Sequence, residues 1–142
     1  MSNPFTKILQ PQGWMQPRGY ANGTAARGTL ISIAGQIGWN AQCAFESDDF
    51  ATQARQALAN IVAVLAVAGG RPEHIVRMTW YVTDKREYVN AYPAIGVAYR
   101  EIIGKHFPAM TAVQVAALIE DRAKVEIEAT AMIPIDATEL LM

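Results

Sequence analysis

A single cysteine, Cys43, occurs among 142 residues, which excludes an internal disulfide and any cysteine-based metal spacing. Charge of one sign is also lacking: 12 Lys plus Arg against 13 Asp plus Glu leave a net −1. Nucleic acid is recognised first through its phosphates, which require a cationic face, so it is not an expected partner. The longest unbroken apolar run covers residues 61–68, far short of the roughly 20 residues that cross a bilayer. Met1-Ser2-Asn3-Pro4 has no apolar secretion core, so a cytoplasmic protein with no membrane partner is expected. Also missing are a phosphate-cradling G-x-x-x-x-G-K-[ST] loop, a G-x-G-x-x-G turn, a G-x-S-x-G elbow and an H-E-x-x-H zinc helix.

Apolar residues make up 51% of the chain, and a chain near 150 residues buries roughly 70% of its unfolded surface. Without repeats or linkers, residues 1–142 are expected to form one domain. Thr6 to Leu9 is a short candidate strand. Tyr20 to Ala25 and Thr29 to Ala34 flank Ala26-Arg27-Gly28, the pattern of a hairpin with glycine at the turn.

Ser47-Asp48-Asp49 supplies a capping oxygen, after which Phe50, Ala54, Ala57, Leu58, Ile61 and Leu65 recur at helical spacing up to Gly69-Gly70. Ile75 to Val82 alternates, with Val76, Met78, Trp80 and Val82 on one face. Asp84 to Glu87 reads as a turn. A second helix capped at Asn90 carries Tyr92, Ile95, Tyr99 and Ile102. Strands at Thr111–Ala117 and Lys124–Ile133 close the chain. The resulting order, β-β-β-α-β-α-β-β, predicts an α+β fold with both helices on one face of a sheet. The other face mixes polar groups with Tyr81, Met110, Ala112 and Met132. A half-apolar face of this kind implies oligomerisation.

Chemistry is sparse. His74 and His106 have no sequence neighbours to act with, and both read as turn residues; Cys43 has no adjacent base. Glu126 and Glu128 are more informative. Two residues apart on one strand, their carboxylates share a face at roughly 7 Å separation. Covered by another subunit, one of them becomes a desolvated general base for water; uncovered, the pair is a solvated strand face.

Ala34-Gly35-Gln36-Ile37, Val76-Arg77-Met78-Thr79, Val82-Thr83-Asp84, Phe107-Pro108-Ala109 and Lys124-Val125-Glu126-Ile127-Glu128-Ala129 occur in order. On these segments the chain resembles the RidA (YjgF) family from about Arg18 to Ile133. The resemblance implies a chorismate-mutase-like subunit and a homotrimer with ligand clefts between neighbours. It also implies cofactor-free hydrolysis of small enamines or imines to a carbonyl compound and ammonia. The family's water-directing glutamate falls on Glu126, its cleft tyrosine on Tyr20, and the glycine of its S-G-Q motif on Gly35, with Ala34 in place of serine.

The departures are specific. The family's carboxylate-gripping arginine falls on Met110, its cysteine on Ala112, and an asparagine at the second helix on Tyr92. Met110, Ala112 and Gln114 share a strand face, so they are expected to meet the cleft together and to make it more apolar. Arg18 and Arg77 are the candidate substitutes for the lost guanidinium. Two functional readings follow: an enamine/imine deaminase with altered substrate and Glu126 directing water, or a non-catalytic trimer that binds an apolar metabolite. A third, RNA-directed reading is disfavoured by the charge balance.

Overall fold

A computed structural model describes residues 5–135. Strands β1 (Lys7–Leu9) and β2 (Gly23–Ala25) form a small antiparallel ribbon. The principal sheet contains β3 (Thr29–Ile37), β4 (Ile75–Val82), β5 (Ala109–Gln114) and β6 (Val125–Ile133) in the order β3-β6-β4-β5. All its neighbours are antiparallel except β4 and β5, which run parallel. Helices α1 (Phe50–Val67), α2 (Lys85–Asn90) and α3 (Tyr92–Ile102) complete the fold, which is α+β as expected.

The core lies between α1, α3 and one face of this sheet. Asp49 caps α1, its carboxylate accepting from the Thr52 backbone N–H at 2.9 Å and the Thr52 hydroxyl at 2.8 Å. These bonds hold the Asp49 carboxyl below its usual range. Ala54, Ala57, Leu58, Ile61 and Leu65 on the apolar stripe of α1 are fully buried, as are Val125, Ile127 and Ala131 of β6. The strict alternation along β6 therefore separates a core row from Glu126 and Glu128. By length and composition α1 is also apolar enough to cross a membrane. Here its stripe forms the core, and Gln53 on that stripe ties α1 to the chain before β6: its Nε2 donates to the Arg122 carbonyl and its Oε1 accepts from the Lys124 N–H.

Several boundaries depart from the sequence expectations. The hairpin between Tyr20–Ala25 and Thr29–Ala34 does not form: the ladder partner of β2 is β1, and that of β3 is β6. Gly28 does adopt a positive φ of 146°, but it passes the chain from one sheet to the other. An irregularity between Ile75 and Arg77 reverses the expected facing at the start of β4, so Ile75 is fully buried and Val76 only half-buried. Asp84 is the N-cap of α2, accepting from the Arg86 and Glu87 N–H groups, so the expected turn is the first turn of a helix. Ala91, not Asn90, precedes α3. β5 starts two residues early, because Arg77 pairs with Ala109 and Met78 with Met110, and it ends at Gln114.

Candidate active site

Register assigns each candidate residue to a face. Trp80 lies opposite Ile127 on β6 and opposite Ala112 on β5, and Met78 lies opposite Ala129 and Met110. Met110 and Ala112 therefore share the helix-covered face. Tyr81 opposes Glu126 and Thr79 opposes Glu128, so both carboxylates occupy the open face. The open face is half-apolar, but through Leu30, Met132, Tyr81 and Val113 rather than through Met110 and Ala112. The sequence-predicted residues thus form two groups.

The first group surrounds a bulge. Between Ile33 and Gln36, β3 carries one residue more than its partner β6, and Gly35 lies in that interval. A Cβ on Gly35 would overlap the Glu126 carboxylate, so glycine provides the space the carboxylate occupies. Glu126 is half-buried, and its carboxylate makes no hydrogen bond or ion pair among the described residues. Glu128 differs: it accepts from the Tyr81 hydroxyl at 2.7 Å. That bond to a carboxylate raises the Tyr81 phenol above its ordinary pKa. One carboxylate is engaged and the other is available to a proton donor.

The second group lines a cavity of about 550 Å³ at the sheet edge formed by β5. The chain before β2 is pinned there by the Ala21 N–H donating to the Pro108 carbonyl at 3.0 Å. Gly19, with φ 77°, turns Arg18 and Tyr20 over the opening. Helix α3 supplies Tyr92, Ile95, Gly96, Tyr99 and Arg100, the i, i+3, i+4, i+7, i+8 set of one helical face. Met110 and Ala112 line the β5 side, joined by Trp80, Tyr88 and Phe107. The rings brace each other. Tyr99 stacks on Phe107 at 5.5 Å and 7°, and Tyr88 meets Tyr92 edge-on at 5.1 Å. The Tyr99 hydroxyl donates to the His106 carbonyl. Burial pushes the Tyr88 phenol up to about 12 and the Tyr99 phenol higher still.

Tyr20, Tyr92, Met110 and Ala112 are thus brought together, and Arg18 with them. Gln114 is on the same strand but outside the cavity, its Oε1 accepting from the Lys85 N–H at the start of α2. Arg77 lies with Ser32, Thr79 and Glu128 on the open face, away from Met110. His74 is buried, its Nδ1 accepting from the Arg71 N–H at 2.9 Å. Cys43 is exposed in a turn with φ 60°. Gly96, Arg100 and the ring cluster were not anticipated, although the Tyr92–Gly96–Arg100 spacing was visible as one helical face.

A family model described as Endoribonuclease L-PSP, the RidA/YjgF group, matches residues 15–133. The chain belongs to this family. It is 36% identical over 108 residues to the 2-iminobutanoate/2-iminopropanoate deaminase of Escherichia coli strain K12, covering 74% of this chain and 80% of that protein. Among solved structures, the Rid-family protein YyfB of Yersinia pestis superimposes with a TM-score of 0.78 at 30% identity, covering 90% of this chain and 98% of the other. Escherichia coli TdcF, solved with bound serine, gives 0.64 at 32% identity over 90% and 99% of the two chains.

Proposed function

We propose that this protein is a cofactor-free enamine/imine deaminase acting in the cytoplasm as a homotrimer of 15.5 kDa single-domain chains. The observation that carries the reading is the free Glu126 carboxylate, accommodated by Gly35 and unpaired while Glu128 is engaged. Glu126 and the ring-lined cavity project from opposite faces of one sheet. A site that uses both therefore takes its carboxylate from one chain and its cavity from a neighbour, which also covers the half-apolar open face.

In such a cleft Glu126 accepts a proton from water as the oxygen attacks the imine carbon. That proton passes to nitrogen to give a carbinolamine; Glu126 then moves the carbinolamine's hydroxyl proton to the amine, the C–N bond breaks, and ammonia leaves as the carbonyl forms. One water is consumed, and one carbonyl compound and one ammonia are produced. The 2-imino acid deaminase among the relatives supports this reaction class. The ribonuclease description of the family finds less support in a net charge of −1 and an open face bearing two glutamates.

A second reading, a non-catalytic protein that binds an apolar metabolite, is favoured by Met110 and Ala112 where the family carries arginine and cysteine. The two separate in one assay. Imines generated in situ from a panel of amino acids by an amino-acid oxidase should release ammonia faster with the protein than without it. Equal release across the panel would leave only the binding reading.

A further inference from the structure

Gly96 sits inside α3, where glycine costs a helix roughly 1 kcal/mol relative to alanine. Nothing in the fold requires it: its φ is not in the left-handed region, and a Cβ built on it meets no atom within 4 Å. A helical glycine facing open space, on the wall of a cavity, keeps that space open. The same wall carries Arg100, one turn further along α3, and Arg18 lines the cavity as well. Neither guanidinium makes an ion pair or hydrogen bond among the described residues, so both can engage an anion in the cavity. The rest of the lining includes Tyr20, Tyr88, Tyr92, Tyr99 and Phe107, flat faces that favour a flat apolar guest. The volume, about 550 Å³, is within the ordinary range for organic ligands and generous for a two- or three-carbon acid.

We propose that the cavity selects a 2-imino acid with an aromatic side chain. Its ring lies against the tyrosines in the space left by Gly96, and its carboxylate is held by Arg18 and Arg100 in place of a cation at position 110. The proposal rests on the deaminase reading for the reaction but not for the fit, since the corresponding 2-keto acid is a stable ligand for the same cavity.

The test is calorimetric titration of the intact protein with phenylpyruvate, 4-methyl-2-oxopentanoate and pyruvate. Phenylpyruvate is expected to bind at least tenfold more tightly than pyruvate, and more tightly than the branched aliphatic acid. Arg18→Gln with Arg100→Gln should weaken phenylpyruvate at least tenfold, both side chains being exposed and unpaired. Gly96→Leu, which improves helix propensity, should collapse the ratio of phenylpyruvate to pyruvate affinity. Pyruvate binding as tightly as phenylpyruvate, the aliphatic acid binding more tightly, or an unchanged ratio in Gly96→Leu overturns the proposal. Unaltered binding in the arginine double variant overturns the anchor. Hydrolysis of small imines with no aromatic preference refutes this selectivity alone. Aromatic keto-acid binding without turnover of any imine refutes the deaminase reading alone.

Discussion

On the open face of the sheet, Glu126 stands unpaired over a glycine bulge; on the helix face, Met110 and Ala112 line a cavity walled by rings. The first region offers a base with little to enclose a substrate. The second offers enclosure but no carboxylate among its lining residues. Strand alternation keeps them apart within one chain, since neighbouring residues such as Glu126 and Ile127 point to opposite sides. A hydrolytic site that combines them depends on assembly, so the chemistry and the quaternary structure stand or fall together.

The largest expected effect separates the two carboxylates. In the presence of a substrate, Glu126→Gln should lower kcat by roughly 10²–10⁴, the usual worth of a positioned acid–base group. Glu128→Gln should change kcat by no more than about threefold, because Glu128 is engaged with Tyr81. Steady-state kinetics on the two variants decides the matter. Equal losses would make the face a generic acidic surface and remove the distinction between its carboxylates.

The adjacent core position should behave in the opposite sense. Ile127 is fully buried, so Ile127→Ala should destabilise the fold by about 2–5 kcal/mol through lost burial and a cavity. Glu126→Gln should leave the denaturation midpoint nearly unchanged. Chemical denaturation of both checks the alternation directly: a stable Ile127→Ala variant would mean that β6 does not separate core from site as described.

On the cavity side, Met110→Arg places a cation beside the rings. It should tighten pyruvate by about tenfold, the worth of one charge-assisted hydrogen bond, and phenylpyruvate by less, narrowing the preference between them. Calorimetric titration reads both. No gain for pyruvate would mean that the absence of arginine at this position does not limit recognition of small acids.

Much of the fold was legible because its signals are local. The apolar stripe of α1 and the alternation of β6 arise from side-chain periodicity, and they mark buried faces whatever surrounds them. The partners of β2 and β3 were not, since a glycine turn signals a change of direction without specifying the ladder that follows. The same limit applied to the site. Gly35 and Glu126 belong to strands far apart in sequence, and only the ladder between β3 and β6 brings them together. Met110 was expected on the face that meets other subunits, because the register of β5 against β4 is a long-range property. Arg100 was missed for another reason: an exposed arginine in the last turn of a helix reads as ordinary complement to the helix dipole. Only the absence of a partner and the cavity beside it give it a further meaning.

The smallest expected effect lies where the cavity meets the core. Tyr88 packs against Phe50 and Trp80 on one side and Tyr92 on the other, and its hydroxyl makes no hydrogen bond among the described residues. Burial raises its pKa from 10 to about 12, with a smaller contribution from Tyr92. The folded state thus holds this proton more tightly than the unfolded chain. The resulting stability is complete below pH 10 and is lost as pH rises through about 12. Tyr88→Phe removes the titrating group while keeping the ring, so at pH 7 its denaturation midpoint should match the parent closely. Between pH 10 and 12 the variant should lose stability less steeply. Thermal melts across that interval would show the two curves diverging. Parallel curves would mean that Tyr88 titrates as freely in the folded protein as in the unfolded chain, and that the cavity admits water as far as the core.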